Sequence, residues 1–597
     1  VSTPPRLHDH PHLPAPPPEA DDHWGPQGSA EIALDYARRM FERQHVALPP
    51  LGFEVDWDDQ PSRHKLYEDT VKVPLPEPFR AMPPAGVGEA VRTARGPARA
   101  MEPPGLGVLA SMLGTYGVTG RRTEPNWNDD SRAKARSDRA VWARPTASGG
   151  GMYPAESYLV VGRSGPLPAG VYHYDTGHHS LDRLSARDRC DEIAAATGAR
   201  AGLYAVATLR FWKNAFKYNS FAYHVVTQDL GALLASWRLV LAAHGTPVEP
   251  VLWFDEAAVG AVLEVDGHAE APFAVVPLGP VTETPRTAPV PEARIGGSAP
   301  RRVWERSRRV RAFELVSRVH AAALVGDRPR PGPEVARAGA LEDAPVETPA
   351  GSPAESSLSG TQLGADPGAA VVPLPDPLPG PADLDVGAGL LARRTSFGLF
   401  SARPPLDVRD LGWVLSSVAQ VGRAGTDVAP APRAHAWTGQ WVLANSVAGL
   451  ERRVHRYDAA EHRLVAGPAL DVSGLQRLYA LTNYSLQEAA AVIVVTGRLE
   501  ALVAAYGARG YRMLSIEVGQ AAQTAYLAAT ARGLGVGAVL GLDNIGIDAL
   551  LGIEGTGERS MIFMLLGHER PRHHYDHSLY RSDGRGDAGA TQEGAAR

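Results

Sequence analysis

The sequence predicts an α+β fold present twice in one chain, and three observations carry that expectation. Residues Tyr223 to Gly279 align without a gap on Tyr511 to Gly567, at a constant offset of 288 (511 − 223 and 567 − 279). Each copy mixes apolar residues at helical spacing with short β-type runs. A Pro/Ala/Gly-rich stretch between Thr282 and Asp385 separates the copies. Within the ungapped pairing Tyr223 meets Tyr511, Gly231 meets Gly519, Gly245 meets Gly533 and Asp255 meets Asp543. Further back, Tyr174-Asp175 meets Tyr457-Asp458 at an offset of 283, and Leu106-Gly107 meets Leu411-Gly412 at 305. Preserved order with a drifting offset is the pattern of an old duplication with loop changes.

Residues 1–28 are rich in Pro, His and acidic side chains and are expected to be disordered. Ile32, Ala33, Tyr36 and Met40 then mark a helix from Ser29 to about Gln44, which opens a first domain over 29–281. Glu156 to Val161 reads as a strand of that domain. Residues 282–385 read as a linker with one helix across Arg301 to Val325, where Val303, Val310, Phe313, Val316 and Val319 stand among arginines; Pro329 to Pro381 within it is low-complexity and flexible. The second domain, 386–572, contains β-type runs at Trp441 to Ala444, Ala491 to Thr496 and Ser560 to Leu566. Its long apolar helix, Tyr511 to Ala531, is rich in Gly and Ala, as close helix–helix approach requires. Residues 573–597 read as a solvated tail.

Composition bounds the function. A chain of 597 residues exceeds one hydrophobic core, and 44% hydrophobic with 21% charged residues is a globular balance. A net charge of −6 without a long basic run gives nucleic-acid binding little support. No apolar stretch reads as long enough to span a membrane, the amino terminus does not read as a signal peptide, and a cytoplasmic location is expected. Cys190 is the only cysteine, which excludes an internal disulfide and a multi-thiolate metal site; His8, His10 and His12 are read as incidental, and no metal is expected. Only Lys65, Lys72, Lys134, Lys213 and Lys217 are lysines. Where most basic positions are Arg, a retained Lys is a candidate for lysine's own chemistry.

Four local patterns resemble the nitroreductase-like flavoprotein superfamily, and within it the SagB-type azoline dehydrogenases of ribosomal peptide biosynthesis. Arg144-Pro-Thr-Ala-Ser148-Gly149-Gly150-Gly151-Met-Tyr153-Pro154 resembles the segment that runs under the flavin, and Phe216-Lys217-Tyr218 resembles the family's Lys-Tyr pair. Arg393-Arg394-Thr395-Ser396 is similar to the Arg-x-Ser signature that grips the FMN phosphate. Tyr511 through Gln523 to Gly533-Leu534-Gly535 and Gly541 resembles the long helix and the turn that contacts the flavin. The chemistry asks for these types: Arg grips a phosphate dianion bidentately, and glycines let backbone approach a flat ring.

The copies differ in a complementary way. Ser148 to Gly151 pairs with Ala431-Pro432-Arg433-Ala434, and Lys217-Tyr218 pairs with Ala505-Tyr506. Superfamily dimers place each flavin between subunits, so the resemblance implies an intramolecular pseudo-dimer of two tandem nitroreductase-like domains with one composite site. Arg393, Arg394 and Ser396, with Arg570, would anchor FMN; Ser148 to Gly151, Gln523 and Gly541 would line it; Lys217 or Tyr218 would be the base. Ser62-Arg63-His64-Lys65 is either the decayed anchor of a lost second site or a substrate-binding segment. The activity implied is oxidation of azolines to thiazoles or oxazoles in a ribosomally made, post-translationally modified precursor peptide, alongside a cyclodehydratase complex. An NAD(P)H-dependent nitro- or quinone-reductase and a flavin-free scaffold are the alternatives, and the protein is expected to be a monomer built as a pseudo-dimer or a higher homo-oligomer.

Overall fold

The structure, a computed structural model, describes residues 26–96, 102–123, 127–128, 133–134, 140–286, 302–341, 370–376, 384–431, 433, 436–481, 483–571 and 575–580. Most of the expected disordered segment, much of the low-complexity linker and the tail beyond 580 lie outside these residues, as do His8, His10 and His12. Pro26 to Gly28, expected to be disordered, already belong to the first helix.

The first half runs α1 (Pro26–Phe41), β1 (Val71–Pro74), α2 (Val87–Ala94), β2 (Ala155–Val161), β3 (Gly170–Asp175), β4 (Ser180–Ser185), β5 (Leu203–Arg210), α3 (Phe211–Tyr218), α4 (Ala222–Ala243) and β6 (Glu270–Pro277). The second runs β7 (Val371–Pro373), α5 (Val386–Ala392), β8 (Phe400–Ser401), β9 (Thr438–Ala444), β10 (Arg453–Asp458), β11 (Arg463–Ala469), β12 (Ala491–Gly497), α6 (Ala508–Thr530), β13 (Gly535–Val539) and β14 (Arg559–Glu569). Both sheets are antiparallel and repeat one order. The first is β6-β5-β2-β3-β4-β1; the second is β14-β12-β9-β10-β11-β7, with β8 and β13 added beside β14. A small motif is duplicated with it: the Tyr174 and Tyr457 hydroxyls each lie 2.8 Å from Nδ1 of His179 and His462, five residues on.

The halves meet along α4 and α6, which are buried over nearly their whole length. Gly231 and Gly519 set how close they come, because a methyl on either would strike backbone of the opposite helix. A second reciprocal contact joins the starts of α2 and α5: Val87 N–H donates to Leu384 O and Val386 N–H to Ala85 O, each at 3.0 Å. One continuous apolar core draws residues from both halves, with a smaller cluster on the outer face of each sheet.

Two sequence expectations are corrected. The span 301–325 is helical only at Glu314–Ala322; Arg302 to Phe313 is extended, and Val303–Trp304 pairs with Leu66–Tyr67. Its exposure alternates, with Arg302, Trp304, Arg306 and Arg308 outward and Ser307 buried, the two-residue period of an extended chain. The helical run Phe211–Ala243 is also apolar and long enough to cross a membrane by composition, contrary to expectation; its most apolar window is wholly buried inside the protein.

Candidate functional site

The loop Arg144–Gly151 belongs to the first half and is held by side chains of the second. Arg393 ends α5 and is buried; its Nε donates to Pro145 O at 2.6 Å and its Nη2 to Arg144 O at 2.8 Å. Gln523 of α6 is fully buried, accepts the Ala147 N–H at 3.0 Å and donates to Pro145 O at 3.3 Å. The first half adds Asp229 of α4, which accepts the Ser148 hydroxyl and the Gly149 N–H, each at 2.7 Å. Ser148 Oγ in turn accepts the Tyr153 N–H at 2.8 Å. No cation pairs with Asp229 among the described residues, and burial pushes its carboxyl up to about 7 against the pull of these hydrogen bonds.

Lys217 and Tyr218 form the last turn of α3 and sit over this loop. Gly150 has φ +63, and a Cβ there would lie 2.7 Å from Lys217 Nζ and collide with the Tyr218 hydroxyl. Glycine is therefore required twice, for its backbone conformation and for the space. Lys217 Nζ stands 5.1 Å from the Tyr218 ring centroid. Burial lowers the Lys217 pKa, and it raises that of Tyr218, with the Asp229 charge adding to the rise.

Next to Arg393 the chain turns through Arg394, Thr395 and Ser396. Ser396 N–H donates to Val536 O at 2.9 Å, while its hydroxyl is buried without a hydrogen-bond partner among the described residues. Arg394 Nη2 meets Glu569 Oε2 at 3.0 Å, and its Nε is likewise buried and unpartnered. Gly535 packs against both neighbours: a Cβ there would come within 2.7 Å of Glu569 Cγ and 2.9 Å of Ser396 Cβ. The Tyr526 hydroxyl lies 3.2 Å from Thr395 Oγ1 and accepts the Ala538 N–H at 3.0 Å, tying this turn to α6.

Two predicted residues stand apart. Arg570 Nε donates to Phe400 O at 2.9 Å at the sheet edge. Gly541 lies in the turn after β13, its carbonyl accepting Ala480 N–H and Gln44 Nε2 at 3.0 and 2.8 Å. Among the described residues a chain of contacts links that turn to Tyr218. Arg43 donates to Leu540 O, its guanidinium lies 4.7 Å from the Phe221 ring centroid, and Phe221 packs edge-on to Tyr218.

In the second half the corresponding space is filled. Arg433, at the position of Gly150, forms a buried 2.7 Å ion pair with Glu517, at the position of Asp229. Glu517 also accepts the Trp437 and Thr438 N–H groups at 3.0 and 3.1 Å. Trp437 is buried, packs edge-on to Tyr506 at 6.0 Å and donates to Ala336 O.

Ser62 to Lys65 is not the counterpart of Arg393-Arg394. The reciprocal α2–α5 contact relates Val87 to Val386, an offset of 299, and so assigns that role to Ala94-Arg95. Ser62 and Lys65 instead join a buried polar cluster, Ser62 donating to Glu305 at 3.0 Å and Lys65 to Glu270 at 2.7 Å and the Tyr158 hydroxyl at 2.6 Å. His64 Nδ1 lies 2.9 Å from Thr176 Oγ1, and burial, with Arg144 beside it, lowers its pKa to about 4. Behind the loop Lys213, lowered to about 8 by burial, lies 3.4 Å from Glu156. Sequence reading missed Asp229, although the offset of 288 that pairs the glycines also pairs it with the acid Glu517.

A family model described as "Nitroreductase family" matches residues 431–568, within the second half. Putative nitroreductase MJ1384 of Methanocaldococcus jannaschii is 31% identical over 132 residues, which cover 22% of this chain and 67% of that protein. The chain belongs to the nitroreductase family. It is also 31% identical over 134 residues to the trifolitoxin-processing protein TfxB of Rhizobium leguminosarum bv. trifolii, a match spanning 21% of this chain and about a third (36%) of TfxB. The crystal structure of a putative nitroreductase from Anabaena variabilis has the same fold over 90% of this chain and 99% of its own, with a TM-score of 0.64 at 20% identity. Nitroreductases generally use FMN. The residues fit that group: Arg394 Nε and Ser396 Oγ are orphaned donors for a phosphate, and at the end of the fastened loop Gly151 has open space where a Cβ would stand.

Proposed function

We propose that this chain is an FMN-dependent oxidoreductase of peptide maturation, oxidising azoline rings to azoles at one composite site between two halves that act as a fused dimer. The observation that carries the reading is Lys217 and Tyr218 packed over Gly150, on a loop fastened from the opposite half by Arg393 and Gln523. Arg394 and Ser396 would hold the FMN phosphate, and the glycines would lie along its ring. Bound FMN would supply a two-electron acceptor for the hydride that leaves the azoline ring.

The chain's own residues then have to take the Cα proton. Lys217 is the base, because burial lowers its pKa and enlarges its neutral fraction. Tyr218 is held as a neutral phenol by burial and by Asp229, so it orients substrate as a hydrogen-bond donor. The likeness to a trifolitoxin-processing protein supports a ribosomally made peptide as substrate. Azolines are supplied by a cyclodehydratase, which makes that enzyme the natural partner and the cytoplasm the natural compartment. A chain with both halves needs no second copy to complete the site. The lining residues 148–151, 217, 218, 393, 394, 396 and 523 form the core of this assignment, with Gly541 and Arg570 at its margin.

Mass spectrometry of an azoline peptide incubated with the FMN-loaded protein tests the reading. A loss of two hydrogens per ring is expected, and an unchanged mass with flavin bound overturns it. The likeness to MJ1384 favours one rival, a nitro- or quinone-reductase. Reduction of a nitroarene with NAD(P)H, unaffected by Lys217→Ala, would select that rival.

A further inference from the structure

We propose that the extended segment Arg302–Arg311 is a docking strap for an acidic segment of the peptide substrate. This rests on the peptide reading above and goes beyond it by assigning the surface that holds the chain outside the ring. Arg302, Arg306, Arg308, Arg309 and Arg311 are exposed, with Trp304 and Trp57 between or beside them at 44% and 54% exposure. Alternate residues of an extended chain lie ~7 Å apart on one face, a spacing that acidic side chains at every second position of an extended peptide can match.

The strap is built rather than draped. Glu305 turns inward to accept the Ser62 N–H at 2.8 Å and Arg210 Nη2 at 2.9 Å. Ser307 donates to Asp59 O at 2.8 Å and accepts Trp212 Nε1 at 2.9 Å. The Asp59 carboxylate accepts the backbone N–H groups of Arg308 and Arg309 at 2.6 and 3.0 Å. Phe313 closes the strap edge-on against Phe53.

Its position links it to the chemistry. Trp212, which the strap grips, lies on α3, the helix that ends in Lys217 and Tyr218. Trp57 packs edge-on to Phe216 of the same helix. An occupant of the strap therefore lies along the element that carries the proposed base. Charge within the strap is largely unanswered: Arg308 lies 3.5 Å from Asp59, while Arg302, Arg306, Arg309 and Arg311 form no ion pair among the described residues. Asp56, Asp58 and Glu314 are exposed acids near its two ends, and Asp56 caps its own turn. The chain as a whole is acidic at −6, so this local excess favours a partner met at close range over long-range attraction to a nucleic acid.

Fluorescence anisotropy with a labelled, Glu-rich peptide of about twelve residues, added to the FMN-loaded protein, tests this. Saturable binding is expected, weakened roughly tenfold by the triple variant Arg306→Gln/Arg308→Gln/Arg309→Gln and by raising salt from about 50 to about 500 mM. Flavin content and oxidation of a short azoline lacking acidic residues should be unchanged in that variant. Equal binding by variant and wild type overturns the proposal. Tighter binding of an oligonucleotide of equal charge, also lost in the variant, overturns it in favour of a nucleic-acid surface. Peptide binding lost in the variant, with no azoline oxidised by either protein, upholds the strap and retires the azoline reading instead.

Discussion

Gly231 and Gly519 lie against each other's helices in a reciprocal way: a Cβ on Gly231 would meet Ile516 O, and one on Gly519 would meet Gln228 O. The four residues are two pairs at the same offset of 288, so the crossing point itself is repeated. Backbone oxygens cannot swing aside as side chains can. Gly519→Ala should therefore destabilise the protein by about 1–3 kcal/mol or more through overpacking. Gly107→Ala, where the nearest atom to a Cβ is Ala81 Cβ at 3.6 Å, should be close to neutral. Urea unfolding of both variants decides, and equal midpoints would argue against the glycines setting the approach.

The composite site predicts one FMN per chain. Arg394→Ala and Ser396→Ala remove the orphaned donors and should release flavin while leaving the Arg144–Gly151 loop fastened. Arg393→Ala should lower flavin content as well, and it should also loosen that loop, which Arg393 holds by two carbonyls. Flavin absorbance after denaturation, with hydrogen exchange at residues 144–151, separates the two effects. Two flavins per chain would be incompatible with the filled Trp437–Arg433 side.

Lys217 as base predicts that turnover rises with pH through its lowered pKa. Lys217→Ala should keep flavin and lose ~10²–10⁴-fold in rate. Lys217→Arg should be nearly as poor, since a guanidinium preserves charge but does not give up its proton. Tyr218→Phe should lower the rate less, and Tyr506→Phe should leave it unchanged. Full activity in Lys217→Arg with normal flavin content would remove lysine from the role.

Asp229 predicts a pH signature in stability. Burial pushes its carboxyl up to about 7, well above the ordinary carboxylate range, so the folded protein keeps a proton that the unfolded chain has released. The contribution is fully present below about pH 4 and is lost as pH rises through 7. Asp229→Asn mimics the protonated form and should gain stability relative to wild type between about pH 5 and pH 8. Denaturant unfolding at both pH values checks this, and a pH-independent difference would show that Asp229 is ionised throughout.

Much of this was legible in the sequence because backbone constraints leave simple marks. Gly231 and Gly519 betray the duplication, since no other residue fits there. The apolar run Ala491 to Thr496 emerges as the buried strand β12. The Lys217-Tyr218 pair was visible through the loss of lysine at Ala505. Other features were not legible. Asp229 is a single acid in an apolar helix, and its partners lie about eighty residues away in a loop. That two nitrogens of Arg393 bind carbonyls across the halves is something a charge pair in a sequence does not announce. The arginine strap was read as a helix because Val303 and Val310 suited that period, while the outward alternation of Arg302 to Arg308 depends on what Asp59 and Ser62 fix beneath it.

The exchange of Gly150 for Arg433 has an evolutionary consequence. In an assembly of identical subunits, a substitution at this position would enter both cradles at once, and an arginine would abolish every site. Two copies encoded in tandem escape that linkage. One cradle can fill with an ion pair and a tryptophan, and harden into scaffold, while selection maintains the glycine in the other. The same freedom permits an accessory segment beside one cradle alone, so that a molecule with internal twofold ancestry can present a single, directional entrance to a long substrate.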